Sequence, residues 1–379
     1  MTSALRGTLL AALAGLSVAC SSTDQSSTPL SVDASAAAQG TPGAVAIASN
    51  ATTGNAVLVF ARRANGSLEG PVSHATGGTG TGGGLGNQGA VTLSGDRQHL
   101  FVVNAGSNDV SVFSVSGTRL TLVNRMASGG VQPISVTEYR GLVYVLNAGG
   151  SGNISGFRLN GAGMLMPIAG ATKPLSGPAV GSAQVGFSPN GATLVVTEKA
   201  TRTITLYDVD GAGLAGAPRP QASAGMTPFG FAFDSRGILV VSEAFGGAVG
   251  ASAVSSYGAN LSGGLVVRSG SVGNGQAAAC WVAITPDNRY AYVTNTASGN
   301  VSGYSLDQDG RLTLLASGIS GTTGAGPIDM SITPDGRRLF TLDGAALQLS
   351  NFAVRADGSL EASAVATGLP VGANGMAAW

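Results

Sequence analysis

The sequence predicts an all-β fold, a seven-bladed β-propeller built of four-stranded antiparallel blades. Three observations predict it. One sentence of sequence returns about every 45 to 50 residues, and a period of that size made of four short apolar runs signals a propeller. It is clearest as Trp281-Val-Ala-Ile-Thr-Pro-Asp-Asn-Arg-Tyr-Ala-Tyr-Val-Thr-Asn295, and it recurs from Ile328 to Asp343 and from Gln184 to Glu198. Seven polar residues close the second strand of successive copies: Asn50, Asn104, Asn147, Glu198, Glu243, Asn295 and Asp343. Finally, the chain opens with a second strand, Ala44-Val-Ala-Ile-Ala-Ser-Asn50, that has no first strand before it, and ends on Asn374-Gly-Met-Ala-Ala-Trp379, a first strand with nothing after it. The two halves complete one blade, which closes the ring and removes its exposed sheet edges.

Residues 1–19 read as a signal peptide. Arg6 is a minimal basic region, and Gly7 to Leu16 is an apolar run too short to span a bilayer. Leu16-Ser-Val-Ala-Cys20 resembles the lipobox of bacterial lipoproteins, with Ser17 where that motif usually has Leu. The resemblance implies cleavage before Cys20 and its lipidation; ordinary secretion with cleavage near Ala19 is the alternative. Residues 20–42 are rich in Ser, Thr, Ala and Gln and read as a flexible tether. The propeller then occupies 43–379. Cys280, the only other cysteine, abuts an apolar run and is expected to be a buried thiol.

Within the propeller each copy reads as strands A to D. Strand A ends at a turn such as Ser188-Pro-Asn-Gly191, Thr285-Pro-Asp-Asn288 or Thr333-Pro-Asp-Gly336. There Pro presets φ, and Asp, Asn or Gly tolerate the sharp return. Strand B follows, for example from Leu194 to Thr197 and from Tyr290 to Thr294. Strand C alternates apolar and polar residues, as in Val110-Ser-Val-Phe-Ser-Val115. The blades fall at 44–82 with 372–379, 83–130, 131–178, 179–225, 226–279, 280–326 and 327–371. The glycine-rich Gly77 to Gly84 lacks the Gly-Lys-Ser/Thr ending of a phosphate loop and is expected to be a flexible connection between the first two blades.

Tyr292-Val-Thr-Asn295 resembles the YVTN repeat of bacterial surface propellers. The wider repeat resembles the seven-bladed lactonase-like family, which includes 6-phosphogluconolactonases. The resemblance implies a ligand or active site at the central channel. Enzymatic members tend to carry a His in a Pro-His-Gln-type sequence at the start of a strand A. Here the counterpart is Ser182-Ala183-Gln184, so Ala183 stands where that His would be and only Gln184 carries over. His74 and His99 fall in an outer strand and a strand B, away from the channel.

In a propeller the ends of strands B and the starts of strands A share one face, around the channel mouth. The asparagines there are expected to cap turns through their own backbone, and Asp343 fits that role as well. Glu198 and Glu243 are longer and lie in neighbouring blades, which makes them the candidate catalytic pair for lactone hydrolysis. One would act as base, with Lys199 or Arg202 as donor to the oxyanion; structural capping, or a Glu198–Arg202 surface pair, is the alternative. If they form a site, their carboxylates should face the mouth and share one ligand. Gln184, Phe229, Trp281 and Asp329, at or near starts of strands A, are candidate ligand-binding residues. Trp281 reads either as a stacking platform for a sugar ring or as packing between blades.

The formal net charge is zero and only 10 % of residues are charged, which excludes the basic footprint of a nucleic-acid binder. No Cys/His spacing suggests a metal, and no cofactor is expected. The functional expectation is an exported, lipid-anchored envelope protein that binds a small molecule, a glycan or another envelope protein at the mouth. It touches the membrane only through its anchor and is monomeric. The alternative is an extracytoplasmic hydrolase of a carbohydrate lactone using a Glu base. Either way the location is the periplasm or the cell surface.

Overall fold

The computed structural model describes residues 42–258 and 263–379; the expected signal peptide, Cys20 and all but the last residue of the tether lie outside them. The described residues form seven antiparallel sheets, each a blade, with strand order A-B-C-D from the channel outward. Strands A, in blade order, are Asn374–Ala378, Val91–Leu93, Pro133–Tyr139, Ser182–Phe187, Pro228–Phe233, Ala279–Ile284 and Pro327–Ile332. Strands B are Gly43–Ala48, His99–Asn104, Leu142–Asn147, Thr193–Glu198, Leu239–Glu243, Tyr290–Asn295 and Arg338–Asp343. In three blades strand D is broken into two short pieces that pair separately with strand C. The only helical turn among the described residues is Phe245–Gly247, and no helix there is long and apolar enough to cross a membrane.

The ring closes as expected. Val45, Ala46 and Ile47 pair antiparallel with Ala378, Ala377 and Met376. Ala44 and Trp379 exchange both backbone hydrogen bonds, at 2.8 and 2.9 Å. Two blades differ from the rest in register; in blade 2 strand A begins only at Val91, opposite Val102, so Asn104 has no partner in it. Five blades pair the polar residue that ends strand B with the first residue of strand A, as in Glu198 with Ser182 and Asp343 with Pro327. In blade 1 the equivalent pair is Ala48 with Asn374, so Asn50 lies two residues beyond the strand end. Its φ of 51° puts it in a turn, where Asn is tolerated.

Strands B are almost wholly buried, because blades pack on both of their faces. Aromatic side chains fill the seams and turn their polar tips to backbone. Tyr144 donates to Gly213 O at 2.8 Å, Tyr207 to Pro174 O at 2.9 Å and Tyr292 to Gly358 O at 2.8 Å. Each ring thus contributes apolar burial while its hydroxyl stays hydrogen-bonded. A β-bulge interrupts strand A next to its first residue in blades 3 to 7, locally re-aiming the side chains that line the channel.

Candidate functional site: the central channel

The side chains that end strands B do not point at the mouth. They run sideways into the connection that arrives from the preceding blade's outer strand. Asn104 accepts from Thr76 Oγ1 at 2.8 Å, Asn295 accepts from Asn274 at 3.0 Å, and Asp343 accepts from Gly324 N at 2.8 Å. They therefore cap the seam between blades rather than only their own turns.

Glu198 and Glu243 belong to the same set. Both are fully buried. Glu198 accepts from Ser176 N at 3.1 Å and from the Ser176 hydroxyl. Glu243 accepts from Gly225 N at 2.6 Å, from Ser255 Oγ at 2.5 Å and from the Ser271 hydroxyl. The two carboxylates share no partner, and each is held by donors of the protein. The structure thus corrects the expectation that they face the mouth together. Asn104 and Asn295 already reach the equivalent serine of strand C, Ser111 and Ser302, both at 2.8 Å; what the longer Glu243 adds is Ser271 in strand D. Gly225 permits the contact, since a Cβ there would lie 2.0 Å from Glu243 Oε2. Arg202 is also committed, donating to Ser223 O at 3.2 Å and Ala224 O at 2.7 Å; no Glu198–Arg202 pair forms.

Lys199, Phe229 and Trp281 do meet at the mouth. The Lys199 ammonium lies 4.7 Å from the centroid of the Phe229 ring, and that ring lies 5.1 Å from Trp281. Cys280 is buried beneath them, and burial raises its thiol to about 11. Burial also lowers the Lys199 pKa. Trp281 is only 4 % exposed. It packs between blades and presents no open platform.

A strap covers this cluster. The connection between blades 1 and 2, expected to be flexible, is pinned along its length. Gly80 N and Gly82 N donate to Ala51 O and Asn50 O, both at 2.8 Å, and Asn50 donates to Gly83 O at 2.7 Å. Farther on, Gly86 O accepts from Lys199 in blade 4, and Asn87 donates to Ile134 O in blade 3. Gln88 then crosses the channel. Its backbone N donates to Ala183 O in blade 4 at 3.1 Å, and its side-chain amide exchanges two hydrogen bonds with Val282 of blade 6, at 2.9 and 3.1 Å. A segment that touches blades 1, 4, 3 and 6 in turn must pass over the mouth. Glycine keeps it thin enough to do so.

Gln184 repeats the Gln88 device between neighbours. Its amide accepts from Phe231 N at 2.7 Å and donates to Phe231 O at 3.0 Å. Both glutamines thereby satisfy the inner edges of strands A, whose backbone groups would otherwise face the channel unpaired. Gly230 makes room, since a Cβ there would lie 2.1 Å from Gln88 Oε1.

Below the glutamines, toward the A–B turns, the channel holds a cavity of about 250 Å³. Gln88, Thr92, Gln184, Asp329 and Ser331 supply its polar groups, and Met330 and Met376 are among its apolar ones. Asp329 and Ser331 stand two apart on one strand and so share a face. Asp329 is 3 % exposed, accepts from Met330 N at 2.7 Å and also from Met376 N. It has no ion pair among the described residues, and burial holds its carboxyl well above the ordinary range, favouring the neutral acid. Sequence reasoning placed Gln184 and Asp329 near the channel but missed Gln88 and Ser331. The available signal was positional: Gln88 immediately precedes the strand A of blade 2, and Ser331 follows Asp329 by one strand period. Among the described residues no group of three or more His, Cys, Asp or Glu is placed to hold a metal ion.

Residues 253–374, which run from strand C of blade 5 to the start of the closing strand, match the family model "Lactonase, 7-bladed beta-propeller". The chain resembles the lactonase-type propellers. Solved structures agree over the whole ring. The periplasmic gluconolactonase of Pseudomonas aeruginosa superposes with a TM-score of 0.70 at 16 % identity, covering 89 % of this chain and 99 % of that one. A candidate 6-phosphogluconolactonase of Bacteroides fragilis gives 0.66 at 19 %, covering 89 % and 98 %. A protein of Lactobacillus plantarum gives 0.71 at 15 %, covering 89 % and 100 %. Comparison with curated proteins by sequence gives no match. Within the lactonase-type frame Ala183 is fully buried beside Phe229, Cys280 and Trp281. His74 lies in an outer strand, and His99 begins a strand B at the A–B-turn end.

Proposed function

We propose that this lactonase-type propeller is an exported, lipid-anchored, monomeric binding protein for a small uncharged ring compound, a monosaccharide or its lactone, held in the channel cavity. The observation that carries the reading is the cavity lining. Its one titratable group, Asp329, is kept toward the neutral acid by burial, and its other polar groups are amides and hydroxyls. Such a lining hydrogen-bonds a polyol and offers no cation to a phosphate. The volume suits one ring rather than an oligosaccharide. Binding is favoured over turnover because the two buried glutamates are engaged in the blade seams, while burial biases Asp329 toward the neutral acid, which donates a hydrogen bond and is a poor base.

Lactone hydrolysis is the second reading, and the lactonase family match favours it. There Asp329 would act as a donor to the lactone carbonyl, with no residue of the cavity serving as base. Export rests on the N-terminal segment and accords with the periplasmic P. aeruginosa protein of the same fold. One panel tests both readings: calorimetric titration with glucose, glucono-δ-lactone and 6-phosphogluconate, with acid release from the lactone followed in a pH-stat. Saturable binding of the uncharged compounds without acid release supports binding. Catalysed acid release that Asp329→Ala abolishes supports hydrolysis. Preference for the phosphorylated compound would refute the uncharged cavity as the site.

A further inference from the structure

The A–B-turn face carries a groove between successive blades, and four of these can be compared. Between blades 6 and 7 the groove is about 560 Å³. There Arg289 donates to Tyr290 Oη at 2.9 Å and Ala356 O at 3.0 Å, and Arg355 pairs with Glu361. Between blades 4 and 5 Arg236 pairs with Asp234 at 2.6 Å. Between blades 3 and 4 Arg158 donates to Ala212 O at 3.0 Å. In each of the three a lining arginine is hydrogen-bonded within the protein.

The groove between blades 2 and 3, about 550 Å³, differs. Its acids are committed. Glu138 accepts from Gly95 N at 2.9 Å and Gly141 N at 2.6 Å, which ties the two turns together. Asp96 accepts from Ser94 Oγ at 2.6 Å and Gln98 N at 3.0 Å. Its arginine is not committed. Among the described residues Arg140 has neither an ion pair nor a hydrogen bond from its guanidinium; it lies over Tyr139, 5.3 Å from the ring centroid. His99 also lines the groove and interacts electrostatically with Asp96; its buried Nδ1 has no hydrogen-bond partner among the described residues. Tyr139 and Leu159 add apolar surface. A guanidinium stacked on an aromatic ring keeps its N–H edge free, and that edge is a fork matched to a planar carboxylate.

We propose that the groove between blades 2 and 3 is a second binding site, for a small carboxylate with a flat or apolar body. Arg140 grips the carboxylate, and Tyr139, Leu159 and the ring of His99 pack the body. The site is separate from the channel cavity, with which it shares no residue. Arg140 and Tyr139 also border the groove between blades 3 and 4, so the test must tell the two apart.

The probes are phenylacetate, 2-phenylethanol and phenyl phosphate, titrated into the full protein by calorimetry. Phenylacetate is expected to bind at least about tenfold more tightly than the alcohol, the usual effect of a charge-assisted pair. Arg140→Gln and His99→Ala are each expected to weaken phenylacetate about tenfold while leaving the melting curve in place. Arg158→Gln, in the neighbouring groove, is expected to change nothing. Equal binding of acid and alcohol, or wild-type affinity in Arg140→Gln, overturns the proposal. So does an effect of Arg158→Gln in place of His99→Ala. Phenyl phosphate binding as tightly as phenylacetate overturns the choice of a planar carboxylate.

Discussion

The two ends of the ring differ in how deeply their polar residues are buried and in how much open surface they leave. At the mouth end Glu198, Glu243 and Asp343 are buried and bonded to the arriving connections, and the glycine-rich strap lies across the opening. At the A–B-turn end arginines and aspartates crowd the turns, grooves open between blades, and the channel cavity extends toward them. The mouth end holds the blades in register, and the turn end is where surfaces remain available to ligands. A polar residue at a strand end is therefore not evidence of a site by itself. What matters is whether its hydrogen bonds are already satisfied by the fold.

Removing a seam residue should break this contrast most severely. Glu243→Ala leaves the buried Gly225 N and Ser255 and the half-buried Ser271 without their acceptor. A loss of about 3 kcal/mol in denaturant-melt stability is expected. An unchanged midpoint would return Glu243 to the list of site candidates. Gly230→Ala comes next, since its methyl group would occupy the place of the Gln88 amide. A loss of about 2 kcal/mol is expected, together with loss of ligand binding in the cavity.

Asp329→Asn should act with the opposite sign. Because the folded state holds the Asp329 proton more tightly than the unfolded chain, wild-type stability falls as pH rises above the unfolded carboxyl value of about 3.9. The variant escapes this loss. Its melting temperature should match wild type at pH below about 4 and exceed it by a margin that widens toward neutrality. A margin that does not change with pH would show that the carboxyl is ionised in the fold. Lys199→Met should have the smallest effect on stability, about 1 kcal/mol or less. Its signature is faster amide hydrogen exchange at residues 85–88, where the strap loses its anchor. Unaltered exchange there would mean that Asn87 and Gln88 suffice to hold the strap.

Much of the ring is legible in the sequence because its signals are local and repeated. The Thr-Pro-Asp-Gly-type turns, the alternation of strands C and the orphan strand at each end together give the blade count and the closure. The channel is less legible because its chemistry depends on contacts between distant residues. Gln88 meets Val282 194 positions away, and no local pattern announces that pairing. Glu198 and Glu243 stand out as departures from Asn. Only the positions of Ser176 and Ser271 show that the two side chains serve the seam. Asp329 is visible as an acid at the start of an inner strand, but its burial, and so its protonation, depends on Met376 from the far end of the chain.

The central claim is that a small uncharged ring compound occupies the cavity below the glutamines rather than the strapped mouth. Calorimetric titration with glucono-δ-lactone of wild type, Ser331→Leu and Lys199→Met tests it most directly. Ser331→Leu fills the cavity and should abolish binding with the fold intact, whereas Lys199→Met should retain it. Binding that survives Ser331→Leu and vanishes in Lys199→Met would contradict the account and place the ligand at the mouth.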